Sequence, residues 1–379
     1  MPLEELRSEI DRIDDAMLKL FKERMDVVRE IGRLKRETGF PALDRGRERA
    51  MLCRLSEETP SELSGYVRVL FNTVLEMSRS YQAKESRAES SIIGRIEQAI
   101  ADTPKLFPEN AIVACPGTEG AYSQSACDKI FTLANIMYFS GFEGVFQAVD
   151  KGLCRYGVLP LENSTAGSVN EVYDLMNRYN FYIVRSARLQ IRHALLAPPG
   201  VELKDVKEIF SKDQAIQQCG RFLKSLPGAK ATACENTAVA AKRAAESGRK
   251  DVAVIASEDC AALYGLSVLS FGVQDTDNNY TRFICISKTP EIYPGADRTS
   301  LMLTVEHRPG SLYSVIAKLN ALGINLNKLE SRPIPGSDFE FMFYFDIDAP
   351  VYSPALRQII AELEREASMF DYLGSYQEI

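Results

Sequence analysis

Histidine is nearly absent from this sequence: His193 and His307 are the only two, and they lie over a hundred positions apart. A mechanism built on a histidine cluster or a Ser/His/Asp set is therefore disfavoured. The eight cysteines (Cys53, Cys115, Cys127, Cys154, Cys219, Cys234, Cys260 and Cys285) contain no CxxC pair and sit mostly in apolar contexts. They read as buried reduced thiols, so neither a disulfide framework nor a zinc site nor any other metal centre is expected. No run approaches the roughly 18 apolar residues of a membrane span. The amino-terminal stretch alternates charged and apolar residues without a signal-peptide core, so a cytoplasmic location away from the membrane is expected. The formal net charge is -7 and no basic stripe covers a domain, which argues against a nucleic-acid partner.

What is present is a chain of 379 residues, too long for one hydrophobic core. Its most regular stretch is residues 3 to 36, where Leu3, Leu6, Ile10, Ile13, Met17, Leu20, Arg24, Val27, Ile31 and Leu34 recur at alternating spacings of three and four. This sustained heptad predicts a helix of about 50 Å, whose seam needs an equally long cover. A second copy of the chain would supply one. Arg24 stands where the pattern asks for Leu or Ile, and a buried guanidinium costs several kcal/mol unless an anion meets it. It is either a register-setting polar residue or part of an anion site between helices.

Breaks at Thr38–Pro41 and Pro60 delimit two further helices, about Arg45–Ser56 and Ser61–Glu85, so residues 1–88 read as an all-α module. A polar, partly helical linker follows over 89–110. From 111 to 290 strand and helix patterns alternate, which predicts an α/β domain of mostly parallel sheets in two lobes with a cleft between them. Pro290–Asp297 reads as a second linker. Residues 298–379 have the order strand, helix, two strands, helix, strand, with Gly323 ending the first helix: an α+β, ferredoxin-like unit.

In the helical module Arg7, Arg24, Lys35, Arg47 and Glu48 are candidates for one inward-facing cluster, with Asp44 nearby and Ser78 and Gln82 one turn apart on the third helix. Each alone is as well explained by a solvated helix face. Together they fit a small dicarboxylate, because arginine forks grip carboxylates and a lysine with an amide can hydrogen-bond a weaker acceptor. LRSEIDRID, GRLK and the D-x-x-R-E of Asp44, Arg47 and Glu48 resemble the all-helical chorismate mutases over the whole module. The resemblance implies an intertwined homodimer, with Arg7 reaching across from a second copy. It implies the rearrangement of chorismate to prephenate without nucleophile or cofactor, Arg24 and Arg7 binding carboxylates and Lys35 and Gln82 stabilising the ether oxygen. Glu48, with Asp44 near it, would orient the hydroxyl; Arg47 and Ser78 complete the family's set.

Three stretches mark the second domain: GTEGAYS (117–123), PLENSTAGS (160–168) and YTRF (280–283). Singly they read as a glycine turn, a helix-capping turn and a strand. Jointly they resemble prephenate dehydratases, whose fold is like a two-lobed periplasmic binding protein. That resemblance carries onto Glu162, Asn163, Ser164, Gln218, Thr281 and Arg282. It implies Thr281 as donor to the departing hydroxyl and Arg282 as a carboxylate clamp. Ser211, Lys212, Asp213 and Gln214 stand where the family usually has Ser-His-Pro-Gln. The last unit resembles an ACT domain; Glu330, Ser331, Arg332 and Pro333 match its segment for phenylalanine sensing, and Gly310, Ser311, Leu312 and Tyr313 stand where the family often has Gly-Ala-Leu-Val. A bifunctional enzyme of phenylalanine biosynthesis, inhibited by L-phenylalanine, is the combined implication. Arogenate as second substrate, a sensor that has lost catalysis, and pairing of dimers into tetramers stay open.

Overall fold

A computed structural model describes residues 2–38, 44–84, 90–334 and 340–379. The expected breaks at Gly39, Phe40 and Pro41, the linker's Ser86 and the strand residue Phe339 lie outside them. The chain divides into two compact units: residues 1–94, 304–326 and 352–370, and residues 95–303, 327–351 and 371–379.

The first unit is helical. Its elements begin with α1 (Leu3–Thr38), α2 (Arg45–Glu57) and α3 (Ser61–Lys84), and α4 (Ser91–Asp102) starts in it. Asp44 caps α2, its side chain accepting from the Arg47 amide at 3.0 Å. The helix pattern holds, but the seam on α1 is not one continuous stripe. Every residue from Pro2 to Leu20 is exposed, Ile10 and Met17 by more than half. Further along, the face turned to α3 runs through Arg24, Val28, Gly32 and Lys35, while Val27 and Leu34 stay exposed. Over residues 2–20 no face of α1 is covered by the described residues, and the covered face begins only where α3 lies alongside.

In the second unit, β1 (Asn110–Pro116), α5 (Tyr122–Ile130), β2 (Leu133–Phe139), α6 (Phe142–Asp150), β3 (Tyr156–Asn163), β4 (Gly167–Ser168), α7 (Asn170–Tyr179) and β5 (Tyr182–Gln190) follow in order. Then come β6 (Ala194–Ala197), β7 (Glu208–Ser211), α8 (Asp213–Gln218), α9 (Gly220–Lys224), β8 (Lys230–Ala233), α10 (Thr237–Glu246), β9 (Val252–Ala256), α11 (Asp259–Tyr264), β10 (Ser267–Ser270) and β11 (Tyr280–Ser287). One sheet has the order β2-β1-β3-β11-β5, with β4 on β3; the other runs β10-β6-β9-β7-β8. Both are mixed rather than mostly parallel. β1 runs parallel to β2 and β3, but β11 is antiparallel to β3 and β5, because it re-enters the first sheet from the second. The apolar runs in β6 and β9 are wholly buried, as central strands covered on both faces require.

The two sheets make the expected two lobes. They are joined by Ile191–His193 between β5 and β6 and by 271–279 between β10 and β11. These crossovers bond each other: Val273 N to His193 O at 3.0 Å and Ile191 N to Asn279 O at 2.8 Å. The helix expected over 213–226 is broken at Cys219, because Asp275 N donates to Gln218 O and Asp275 Oδ1 accepts from Arg221 N at 2.9 Å.

The remaining elements are β12 (Arg298–Thr304), α12 (Ser311–Ala321), β13 (Asn325–Pro333), β14 (Phe341–Asp348), α13 (Pro354–Glu366) and β15 (Phe370–Tyr376). The third sheet has the order β13-β14-β12-β15, the ferredoxin-like arrangement expected of this chain order. In the first unit, α12 and α13 lie against α3: Ser80 Oγ donates to Glu362 Oε1 at 2.7 Å.

Neither linker is a loose tether. α4 buries Ile92, Ile96 and Ala99. In 290–297, Ile292, Tyr293 and Ala296 are buried, and Glu291 accepts from Tyr156 at 2.7 Å and from Tyr293.

Met302, Met342, Tyr344, Leu373 and Tyr376 of the third sheet share a core with Leu159, Leu161 and Ile284 of the first. At Gly374 the approach is so close that a Cβ would stand 2.2 Å from the Ile183 carbonyl oxygen, at φ +138°. Gly374→Ala should therefore lower unfolding free energy by about 2–4 kcal/mol. A urea midpoint equal to the parent's would show that β15 can retreat from β5.

Candidate active sites

Two polar clusters emerge, one in each unit. In the helical unit Arg24 is half-buried and its Nη1 donates to Ser78 Oγ, which in turn donates to the Val74 carbonyl oxygen. Gln82 Nε2 reaches the Val28 carbonyl oxygen at 3.4 Å, one turn beyond Arg24 on α1. Lys35, three turns past Arg24, is half-buried on the same face. Burial pushes the Arg24 guanidinium's pKa down, the expected cost of a cation without a carboxylate partner.

Glu48 is engaged differently from the expectation. It accepts from Arg79 Nη1 at 2.5 and 2.6 Å, and Arg79 also pairs with Glu76. Burial works against that guanidinium's charge, yet Glu76 and Glu48 together raise its pKa. No sequence signal singled out Arg79, since its partner Glu48 lies on another helix. Arg47 and Arg7 are exposed. Arg7 does not stand near Arg24: the intervening turns of α1 set them about 25 Å apart, so one chain cannot bring both to one ligand.

In the second unit the antiparallel register of β3 and β11 sets Thr281 opposite Asn163 and Arg282 opposite Glu162. Because neighbours on a strand point to opposite faces, the first pair and the second serve different sides of the sheet. The ladder shifts between Arg282 and Phe283, skipping Leu161 beside Pro160. Such a bulge re-aims side chains, and Pro160, which has no N–H to give, suits it.

On one side Asn163 is held from every direction. Its Oδ1 accepts from the amides of Thr165 (3.0 Å) and Ala166 (2.9 Å) and from Thr165 Oγ1 (2.7 Å). Its Nδ2 faces Thr281 Oγ1 at 2.9 Å and Asn279 Oδ1 at 2.8 Å. Asn279 Nδ2 donates to Gln218 Oε1 at 3.1 Å, and Gln218 Nε2 donates to Thr165 Oγ1 at 2.9 Å. The four side chains of Asn163, Asn279, Gln218 and Thr165 thus close a ring beside Thr281. Ser164 ties the same loop to the other crossover, its hydroxyl donating to Asn278 O at 3.0 Å.

Gln218 ends α8 in the second lobe and the rest belong to the first or to its crossovers, so the ring bridges the two lobes. His193 Nε2 lies 3.1 Å from Gln218 Oε1, and its Nδ1 3.0 Å from the Tyr122 hydroxyl. Burial pushes the His193 pKa down, against a smaller upward pull from Gln218, and raises the Tyr122 phenol well above its ordinary value.

Asn163, Gln218 and Thr281, expected together from the sequence, lie in one hydrogen-bonded group, which also takes in Thr165, Asn279, Tyr122 and His193, none of them singled out from the sequence. Thr165 and Tyr122 lie inside the motifs already singled out, and Asn279 borders one. His193 was passed over for want of a second histidine.

Arg282 and Glu162 depart from their expected roles. Arg282 is 4 % exposed, with Nε 2.8 Å from Glu162 Oε1 and Nη2 bonded to Asp346 of β14. Burial opposes its charge, and Asp346 chiefly, with Glu162, raises its pKa well above the usual value. Glu162 is also bonded by Lys328. Both face the third sheet rather than Thr281, and Arg282 is already spent on two carboxylates.

The remaining candidates are placed as follows. Lys212 and Asp213, at the unexpected Ser-Lys-Asp-Gln, form the exposed start of α8, five residues from Gln218. Gly310 (φ +90°) precedes α12, and the Oγ of buried Ser311 has no hydrogen-bond partner among the described residues. Glu330 accepts from Ser168, and Arg332 grips Asp174 through two bonds of 3.0 and 2.8 Å. Leu312 is half-buried, and Ser331 and Pro333 are exposed on the opposite side of β13 from Glu330 and Arg332.

With this geometry in hand, comparison with known proteins is specific. Residues 6–83 match the family model for chorismate mutase type II, and residues 113–291 that for prephenate dehydratase. The bifunctional chorismate mutase/prephenate dehydratase of Escherichia coli (strain K12) is 30% identical over 386 residues, covering 99% of this chain and 96% of the relative. Arogenate dehydratase/prephenate dehydratase 2 of Arabidopsis thaliana is 37% identical over 276 residues, 70% of this chain and 72% of its own. Among solved structures, prephenate dehydratase from Arthrobacter aurescens in complex with L-Phe is 28% identical, with a TM-score of 0.64 over 70% of this chain and 90% of that one. Two domain matches in this order, with a relative aligned over nearly the whole length, mean that the chain belongs to the bifunctional chorismate mutase/prephenate dehydratase family.

Proposed function

We propose that the helical unit rearranges chorismate to prephenate at Arg24, Lys35, Ser78 and Gln82, and that the cleft of the second unit converts prephenate to phenylpyruvate at Asn163, Gln218 and Thr281. For the dehydratase the carrying observation is the polarity of Asn163. With its oxygen taken by two backbone amides, its Nδ2–H must donate to Thr281 Oγ1. Thr281 is then an acceptor in the ring, and among the described residues nothing accepts its own hydroxyl hydrogen. That hydrogen is available to the hydroxyl that leaves as the C–C bond to the ring carboxylate breaks, carbon dioxide departs and the ring becomes aromatic. Arg282 is not part of this mechanism; its role is to neutralise Glu162 and Asp346 behind the sheet.

The mutase reaction is intramolecular, so positioning and electrostatics suffice. Among the described residues Arg24 has no carboxylate partner, and a substrate carboxylate would meet it. Arg7 contributes only if a second copy covers the exposed half of α1, which makes a homodimer the working assembly. Arg79 holds Glu48 in place for the substrate hydroxyl, and Asp44 acts through its cap on α2, which carries Arg47.

We further infer feedback by L-phenylalanine at the carboxy-terminal βαββαβ stretch, read as an ACT domain. The unpartnered Ser311 hydroxyl after Gly310 supports this, as does the L-Phe complex of the Arthrobacter aurescens enzyme. The Glu330–Pro333 segment is a second candidate, with Ser331 and Pro333 its exposed members. A second reading, arogenate as substrate of the cleft, is favoured by the Arabidopsis thaliana relative's name and decided by comparing kcat/KM for the two acids.

Arg24→Leu should keep or raise dimer stability and lower mutase turnover by about a hundredfold or more. Sedimentation and chorismate consumption measure the two; loss of the dimer with turnover retained would assign Arg24 to register. Thr281→Ala should cut phenylpyruvate formation by a comparable factor while leaving the mutase intact. Thr281→Ser, which keeps the hydroxyl, should recover much of it. Titrated L-phenylalanine should bind and depress the dehydratase; turnover insensitive to millimolar amounts would remove the feedback reading.

A further inference from the structure

We propose that His193 is a positioning residue for the dehydratase step: from the crossover between the lobes, its Nε2–H holds the Gln218 carboxamide oxygen and locks the second lobe into the ring around Thr281. This rests on reading Asn163 and Thr281 as the dehydratase centre.

The argument is one of donors and acceptors. The backbone amides of Thr165 and Ala166 can only donate, so they take Asn163 Oδ1 and turn Asn163 Nδ2 toward Thr281 and Asn279 Oδ1. The Asn279 carboxamide is thereby oriented with Nδ2 toward Gln218, and Gln218 must present Oε1 to it. The same Oε1 lies 3.1 Å from His193 Nε2, so that nitrogen carries the proton. Gln218 Nε2 is left for Thr165 Oγ1, whose own hydrogen goes to Asn163 Oδ1, and every bond in the ring agrees in direction.

The imidazole is in turn held from its other side. Its Nδ1 lies 3.0 Å from the Tyr122 hydroxyl, whose single hydrogen goes to the Arg192 carbonyl oxygen, so Tyr122 bounds the ring on that side and the Nε2–H assignment rests on Gln218. The His193 amide donates to Gln274 Oε1 at 2.9 Å, and its carbonyl accepts from Val273, so both crossovers fix its backbone. At 3 % exposure it is placed to hold Gln218 rather than to exchange protons with substrate. Without it, the Gln218 side chain, at the C-terminal end of a six-residue helix, keeps only its bonds to Asn279 and Thr165 among the described residues.

The test compares His193→Gln, whose amide N–H reaches the depth of Nε2, with His193→Asn, which stops at the depth of Nδ1. Prephenate turnover, chorismate turnover and thermal unfolding are measured on the full chain, with Thr281→Ala in parallel. His193→Asn is expected to lower dehydratase kcat about tenfold or more with KM and mutase activity little changed. His193→Gln should stay within about threefold of the parent, and His193→Asn should cost nothing further in a Gln218→Ala background. Equal effects of Asn and Gln, additive losses in the double variant, or losses that track a lowered melting temperature in both variants would overturn the proposal. Parent-like turnover in Thr281→Ala would remove the underlying centre and this role with it; an inactive Thr281→Ala beside a parent-like His193→Asn would remove only the role of His193.

Discussion

Two backbone N–H groups, those of Thr165 and Ala166, decide the polarity of the hydrogen-bonded ring beside Thr281. Both can only donate, and both point at Asn163 Oδ1. Once that oxygen is taken, each carboxamide and hydroxyl around the ring has one orientation left, and Thr281 ends with an accepted bond and a hydrogen to give. A hydroxyl is a weak acid, and its use as a donor depends on such pre-arranged polarity more than on a shifted pKa. The hairpin of β3 and β4 that presents those amides therefore sets the direction of the hydrogen bond that Thr281 accepts.

Behind the same two strands sits a very different device. Arg282, Glu162, Asp346 and Lys328 form a buried ionic cluster with the third sheet. Removing one member of such a cluster strands the others' charge, at about 3–5 kcal/mol. Its consequence for function is geometric. Glu162 and Ser168, paired across the hairpin, are both held from β13, by Lys328 and by Lys328 with Glu330 respectively. The sheet is thus clamped on one face so that the other can hold Asn163 and Thr281 in register, and the bulge at Leu161 adjusts where the two faces meet.

The helical unit solves a different problem. An arginine in an apolar helix seam is unfavourable unless something anionic answers it, and among the described residues Arg24 meets the neutral Ser78 hydroxyl instead. Arg79, by contrast, is matched by two carboxylates. The matched cation is held by both carboxylates, while Arg24 keeps a hydroxyl as its partner. The first half of α1 stays exposed, and Arg7 on it lies about 25 Å from Arg24.

Periodicity along the chain was enough to read α1, α2, α3, β3 and β11, because a helix or strand is written in side chains three, four or two positions apart. The motifs around Asn163 and Thr281 were legible for the same reason: each is local. What the sequence could not settle is which side chains share a face across a sheet. Arg282 sits next to Thr281 in the chain and, by strand alternation, on the other face of the sheet; that Asp346 of the third sheet covers that face is what only folding decides. His193 looked useless for lack of another histidine, yet its partners Tyr122 and Gln218 are far away in sequence and meet it only where two crossovers cross. Local order follows from neighbours; the direction of a hydrogen bond follows from every donor and acceptor that folding brings within 3 Å or so, and only the tertiary structure assembles those.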